Sequence, residues 1–223
     1  MIFIKTIFES IMPDWDEIFR EKGHVFPSPH PDFPRVVELM KQHEVRRVLD
    51  IGCGTGRHLV YLAKHDFETY GFDASPHALE LAKRWLQEED LSADVFQHRM
   101  ETSFPFDDGF FDAIISIQSI HHNMMSDIRS TINEIERVTS PRSILFITVP
   151  TFQPGPVAPE DDWELRKVEP DTYIPEKGPE SGIPHHYFSC IDLISEFRYF
   201  EPLEIFIDAT KHRAFLGIKR SEP

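Results

Sequence analysis

Asp50 stands two residues ahead of three glycines on alternate positions, Gly52, Gly54 and Gly56, in the run VLDIGCGTGRH over 48–58. Glycines at this spacing serve a backbone of positive φ, or a ligand lying against the main chain where a Cβ would intrude. A dinucleotide loop needs G-x-G-x-x-G with a pyrophosphate at the helix N-terminus; here Arg57 holds the third glycine's place. The carboxylate of Asp50 would repel a pyrophosphate and attract an ammonium or sulfonium. A second acid, Asp73, lies 21 residues past Gly52 at the end of the strand-like ETYGF, where a carboxylate can accept both hydroxyls of a ribose. Taken singly, Asp50 fits a buried turn residue and Asp73 a helix cap. Taken together, they ask for a nucleoside with a cationic tail, and S-adenosylmethionine is that molecule. Cys53, inside the loop, and Ala74, beside Asp73, belong to the same expected cofactor site.

Displacement at a sulfonium methyl is in line, so a protein must hold the nucleophile ~3 Å from the methyl group and exclude water. A weakly acidic acceptor also needs a base, and histidine suits that role near neutral pH. His121 and His122 follow the apolar DAIISI (112–117), at the carboxyl edge where open α/β sheets bind ligands. His185 and His186, with Tyr187, close a proline-rich stretch. All four histidines are candidate bases, set against plainer roles as a strand end and as anchors of that stretch. They show neither i,i+4 helical nor C-x-x-C spacing, so no metal is predicted. Gln118 is expected as a wall of the cofactor pocket, and Trp15 and Phe19 as packing.

Strand and helix patterns alternate over 46–150, which predicts a doubly wound α/β sheet, parallel strands with helices on both faces, as the cofactor-binding core. Ser75-Pro76 opens a helix whose buried stripe is Ala78, Leu79, Ala82, Trp85 and Leu86. Ile128, Ile132, Ile135 and Val138 space another helix, and SILFITV (143–149) is the next buried strand. Residues 1–45 form a helical N-terminal cap, with one apolar face at Ile4, Ile7, Phe8 and Ile11 and another at Trp15, Ile18 and Phe19. Prolines 27, 29, 31 and 34 interrupt it before Val36, Val37, Leu39 and Met40 resume the pattern. Residues 151–188 carry most of a proline-rich stretch without sustained period, a long loop or lid. Over 189–223, Ser189 and Asp192 have capping-box spacing at a closing helix, followed by a hairpin at 203–207 and 213–218.

The 223 residues suit a single domain. Lys and Arg number 23 against 38 Asp and Glu, a net charge of −15, which disfavours nucleic acid as a partner. Two cysteines outside any metal or disulfide spacing fit a reducing, cytoplasmic setting. The apolar start is too short and interrupted to span a membrane. Oligomeric state is left open.

VLDIGCGTGRH, YGFDAS, FPFDDGFFDAIISIQSIHH and INEIERVTSPRSILFITVP resemble, in order, the first motif, ribose-binding strand end, fourth-strand region and fifth-strand region of Rossmann-like S-adenosylmethionine-dependent methyltransferases, most of all the type 11-like branch that methylates small molecules. The resemblance covers about 46–150 well and the last third loosely. It implies a seven-stranded, mostly parallel sheet with an antiparallel final strand, the methionine moiety at the glycine loop, ribose at the second strand, and a lid over a small-molecule acceptor. Relatives often read D-M-x-x-L-P-F at the adenine stretch, whereas Met100 here precedes Glu101, one position late. Either Glu101 replaces the usual acid, or a backbone N–H suffices with Met100 packing on the ring. Thr139 to Ser143 depart from the usual L-K-P-G-G in a turn remote from the chemistry. ISIQSIHH also resembles wobble-uridine tRNA methyltransferases, and a noncatalytic cofactor-binding partner protein is a third possibility.

Overall fold

The computed structural model describes residues 15–151 and 164–221. The apolar face expected at Ile4, Ile7, Phe8 and Ile11 lies outside the described residues. Among the described residues two helices lead, α1 (Trp15–Lys22) and α2 (Phe33–Gln42). The alternating core runs β1 (Arg47–Ile51), α3 (Arg57–Ala63), β2 (Glu68–Asp73), α4 (Pro76–Glu88), β3 (Asp94–Gln97), β4 (Phe111–Ile117), α5 (Met125–Val138) and β5 (Thr139–Val149). After β6 (Leu165–Glu169), β7 (Thr172–Pro175) and β8 (His185–His186) come α6 (Cys190–Glu196), β9 (Phe200–Ile207) and β10 (Arg213–Lys219).

Seven strands form one sheet in the order β3-β2-β1-β4-β5-β10-β9. Neighbours from β3 to β5 run parallel, and β10 runs antiparallel to both β5 and β9, as the resemblance implied. Strand order reverses beside β1, which opens a crevice at the carboxyl ends of β1 and β4. The central strands are covered on both faces, which is why Ala113 to Ile115 and Ile144 to Ile147 form continuous buried apolar runs without alternation. On one face α5 lays Ile128, Ile132, Ile135 and Val138 over Leu49, Ile114 and Leu145. On the other, Phe33, Val36, Val37 and Met40 of α2 pack on Val48, Ala113, Ile115 and Phe146. The second half of the expected N-terminal cap is therefore part of the core.

Two of the expected starts are built as the sequence suggests. Ser75 accepts the N–H of Ala78 at the head of α4, and Ser189 and Asp192 complete a reciprocal capping box at α6. The proline-rich stretch differs from the expected loop, because β6, β7 and β8 form a small antiparallel sheet within its described residues. A register shift between Lys167 and Glu169 and a strand of only two residues leave no alternation to read in the sequence. This sheet is fastened to the core at two points. The His186 N–H donates to the His121 carbonyl (2.9 Å), and Glu169 Oε1 accepts the Met125 N–H at the start of α5 (2.6 Å), where a carboxylate satisfies a free helix donor. Among the described residues no helix is long and apolar enough to cross a membrane.

Candidate cofactor and acceptor site

The chain leaves β1 through Gly52, Gly54 and Gly56, with φ of +69°, +52° and +90°. A Cβ on Gly52 would stand 2.1 Å from Ser119 Oγ, so glycine is needed there for space as well as for φ. Gly56 has a different duty. Its Cβ would lie 2.9 Å from that of Ala82, so it allows α3 and α4 to approach, and it does not line the cavity described below.

Asp73 ends β2 with Oδ2 accepting the Gly54 N–H (2.9 Å) and Oδ1 accepting the Ser75 N–H (2.9 Å). The helix cap expected of Asp73 is Ser75 instead; Asp73 holds the two turns on either side of it and keeps further lone pairs at the cavity wall. Burial raises its pKa against the pull of those backbone donors. Asp50 lies beneath the loop, 1% exposed, and is not a wall residue. Its Oδ2 has no hydrogen-bond partner among the described residues and sits 4.0 Å from His58 Nδ1. Burial pushes its pKa up to about 7, with Arg57 opposing and Asp73 reinforcing the shift. Any attraction of Asp50 for a cation therefore acts through the loop.

Beside the loop is a cavity of about 820 Å³, within the range of small-molecule and cofactor sites. Gly52, Cys53, Gly54, Asp73, Ala74, Met100, Glu101 and Gln118 line it together. The Met100 carbonyl is held by Thr131 Oγ1 (3.0 Å), while Glu101 already pairs with Arg99 (2.5 Å). Gln118, at φ +58°, is braced through Nε2 by Thr210 (3.3 Å) and His212 (3.2 Å) in the turn between β9 and β10.

The opposite end of the same cavity is aromatic and imidazole-rich. Trp15 and Phe19 of α1 do more than pack, since both line it, and Trp15 lies 5.0 Å from the His122 ring between centroids. The Trp15 indole N–H has no partner among the described residues. His121, His122 and His185 converge, with ring centroids 3.8 Å apart for the first two and 4.8 Å for the last two. Glu180 joins them, its Oε2 lying 2.6 Å from His185 Nε2 and 3.7 Å from His122 Nε2. Burial lowers the pKa of His121 and of His122, keeping both rings neutral. Glu180 resists burial and is held down to about 2 by His122 and His185. His186 is corrected by the fold: it turns away from the cavity, its Nδ1 bonded to Thr172 Oγ1 (2.8 Å) and its ring against Phe188. Three imidazoles and a carboxylate can accept a proton from a bound hydroxyl or ligate a cation, so proximity in the fold supplies what sequence spacing lacked.

Glu180, Ser119 and His212 line the site without having been singled out in the sequence. Glu180 is one of 38 acidic residues and lies in a stretch without period, so no signal distinguishes it. Ser119 follows Gln118 directly, and the position after a strand at the switch point was a usable signal.

Residues 48–142 match a family model described as a methyltransferase domain. The chain is similar to O-methyltransferase rstn1 of Aspergillus nomiae, 36% identical over 104 residues covering 46% of this chain and 45% of that protein. It is also similar to a 2-heptyl-1-hydroxyquinolin-4(1H)-one methyltransferase of Mycobacteroides abscessus, 32% identical over 143 residues covering 60% and 62%. The chain thus spans about half the length of the curated relatives it matches. Among solved structures, a SAM-dependent methyltransferase from Methanosarcina mazei shares the fold with a TM-score of 0.67 at 18% identity, over 87% of this chain and 100% of that one. Fold, glycine loop and matched domain agree: residues 48–142 are similar to methyltransferase domains, and the chain has the fold of the Rossmann-like S-adenosylmethionine-dependent methyltransferases.

Proposed function

We propose that this chain transfers a methyl group from S-adenosylmethionine to a small-molecule acceptor. The observation that carries this reading is one continuous cavity walled by the glycine loop, Asp73 and Met100 at one end and by Trp15, His121, His122 and His185 at the other. The residues present fit the cofactor. Asp73 offers spare acceptor capacity for ribose hydroxyls, Met100 offers an apolar surface for adenine, and the orphaned Asp50 Oδ2 beneath the loop supplies negative potential for a sulfonium. Once bound, that group supplies an electrophilic methyl carbon. The protein's part is to position the acceptor against α1 and the histidine cluster, and to exclude water with α1 and the sheet of β6, β7 and β8. By their names, one relative above is an O-methyltransferase and another methylates 2-heptyl-1-hydroxyquinolin-4(1H)-one, which supports a small oxygen-bearing acceptor. The net charge of −15 supports a small molecule over a polyanion.

Calorimetric titration with S-adenosylmethionine and S-adenosylhomocysteine tests the cofactor half, and release of S-adenosylhomocysteine across a panel of hydroxylated aromatic, amine and thiol acceptors tests the rest. Saturable binding of both nucleosides and turnover with one acceptor class are expected. Absence of binding to folded protein would overturn the reading.

A further inference from the structure

We propose that His121, His122, His185 and Glu180 form a binding site for one divalent transition-metal ion at the acceptor end of the cavity. Only the use of that ion rests on the methyl-transfer reading given above. One nitrogen from each of the three imidazoles can be chosen so that all lie within 4.8 Å of one another. His185 shows why a cation belongs among them. Its Nδ1 lies 2.8 Å from the Ile183 carbonyl, which can only accept, so Nδ1 carries the proton. Its Nε2 lies 2.6 Å from Glu180 Oε2, a second acceptor. A neutral ring has one proton, so positive charge must stand between Nε2 and the carboxylate, as a second proton or as an ion. Metal-ligating histidines hold their other N–H on a carbonyl or carboxylate in this manner.

The neighbouring rings favour the ion. A second proton would serve His185 and Glu180 alone. An ion serves all three rings, including His121, whose Nδ1 is buried with no partner among the described residues while the residue is only 3% exposed. Neutral imidazole is the form that ligates, and the Glu180 carboxylate, with Oε2 2.6 Å from His185 Nε2 and 3.7 Å from His122 Nε2, supplies the balancing charge. Bonds of about 2.0–2.1 Å bring ligand atoms to roughly 3–3.5 Å from one another, so the widest imidazole pair closes and the 2.6 Å His185–Glu180 pair opens as the ion enters. His121 and His122 follow β4, whereas Glu180 and His185 belong to the segment of β7 and β8, so the ion would clasp that segment to the core. Imidazole-dominated ligation selects zinc and its first-row neighbours over magnesium or calcium.

In methyl transfer such an ion binds the acceptor hydroxyl and lowers its pKa. The hydroxyl proton leaves to solvent, the oxygen forms its bond to the methyl carbon, and the carbon–sulfur bond breaks with its electron pair remaining on sulfur. The products are the methyl ether, S-adenosylhomocysteine and one proton.

Untagged full-length protein, as purified, is assayed by elemental analysis. After chelation it is titrated with cobalt(II) alone, followed by calorimetry and visible absorption. About one ion per chain is expected, with a ligand-field band on cobalt uptake. His185→Ala and His122→Asn are expected to weaken uptake by at least 100-fold, and Glu180→Gln by about 10–100-fold. His186→Asn, outside the cluster, should bind as the parent does. Folding is checked by thermal melting, and the milder Glu180→Gln decides the matter if the histidine variants fail to fold. Folded parent protein that takes up neither zinc nor cobalt, or folded variants that bind cobalt like the parent, would overturn the inference. S-adenosylhomocysteine binding is measured alongside. Nucleoside binding without metal uptake sinks the metal site alone, and metal uptake without nucleoside binding sinks the methyl-transfer reading alone.

Discussion

Asp73 Oδ2 accepts the backbone N–H of Gly54 at 2.9 Å, so the acid that ends β2 also holds the turn that follows β1. One side chain thereby links loop shape to the expected ribose site. Asp73→Asn keeps an oxygen for Gly54 and loses the charge, whereas Asp73→Ala loses both. The alanine variant is expected to bind S-adenosylhomocysteine about 10–100-fold more weakly, in line with loss of charge-assisted hydrogen bonds, and the asparagine variant less so. Calorimetry on both variants checks the order; equal, unaltered affinities would remove Asp73 from the cofactor site.

Gly52 is hemmed in by Ser119 in a way that predicts a one-sided rescue. In Gly52→Ala the new Cβ meets Ser119 Oγ at 2.1 Å and Ser119 Cβ at 2.7 Å, at a φ of +69°. Cofactor binding should be lost and stability should fall by about 2–3 kcal/mol, combining overpacking with backbone strain. Adding Ser119→Gly removes the clash and leaves the φ strain, so denaturant titration should recover roughly half of the loss. Failure of the double variant to recover any stability would show that the turn, not Ser119, limits the position.

Asp50 sets a pH dependence whose sign follows from its environment. Burial raises its folded pKa from 3.8 to about 7, so folding favours the protonated form. That contribution is fully present below the unfolded pKa and is lost as pH rises through about 7. Asp50→Asn should therefore gain stability relative to the parent between pH 5 and pH 8, on the order of 2–4 kcal/mol at the upper end. The same charge favours a sulfonium, so the variant should also lose several-fold preference for S-adenosylmethionine over S-adenosylhomocysteine at pH 8. Melting curves and titrations at both pH values check the two halves; a stability difference that does not grow with pH would refute the assignment.

These residues also show what could be read before the fold was known. Asp50, the glycines and Asp73 are close in sequence and belong to one β1–turn–α3–β2 unit, so their types and spacing carried the argument to the cofactor. The β3 strand DVFQ, four residues with one buried side chain, is set by pairing with β2 and leaves no local pattern. The acceptor end is assembled from α1, the loop after β4 and the segment around β8, and only tertiary contact selects His121, His122 and His185 over His186. Gly56 shows the converse limit. Its spacing matched the ligand-facing glycines, yet packing against Ala82 explains it.

His30 and Asp208 give the last prediction, because they join the start and end of the chain behind the site. His30 Nδ1 accepts the Asp32 N–H (3.2 Å), leaving Nε2 to donate to Asp208 Oδ2 (2.9 Å), with the two side chains 1% and 0% exposed. Asp208 Oδ1 also accepts the N–H groups of Thr210 (2.8 Å) and His212 (2.9 Å), shaping the turn that braces Gln118. Burial works against the carboxylate, yet the bonds from Thr210, His212 and His30 win, and its pKa is lowered. Its stabilisation is therefore present above the unfolded value of 3.8 and lost as pH falls through the lower folded pKa. Asp208→Ala should cost about 3–5 kcal/mol at pH 7, and His30→Ala about 1–3 kcal/mol, since Asp208 keeps its turn donors. The double variant should fall short of their sum by more than ~0.5 kcal/mol, the mark of direct coupling. Asp208→Ala should also weaken S-adenosylhomocysteine binding through the released Gln118, whereas His30→Ala, which leaves the turn donors in place, should bind it nearly as the parent does. Strict additivity in denaturant titrations would show that the contact carries no energy of its own.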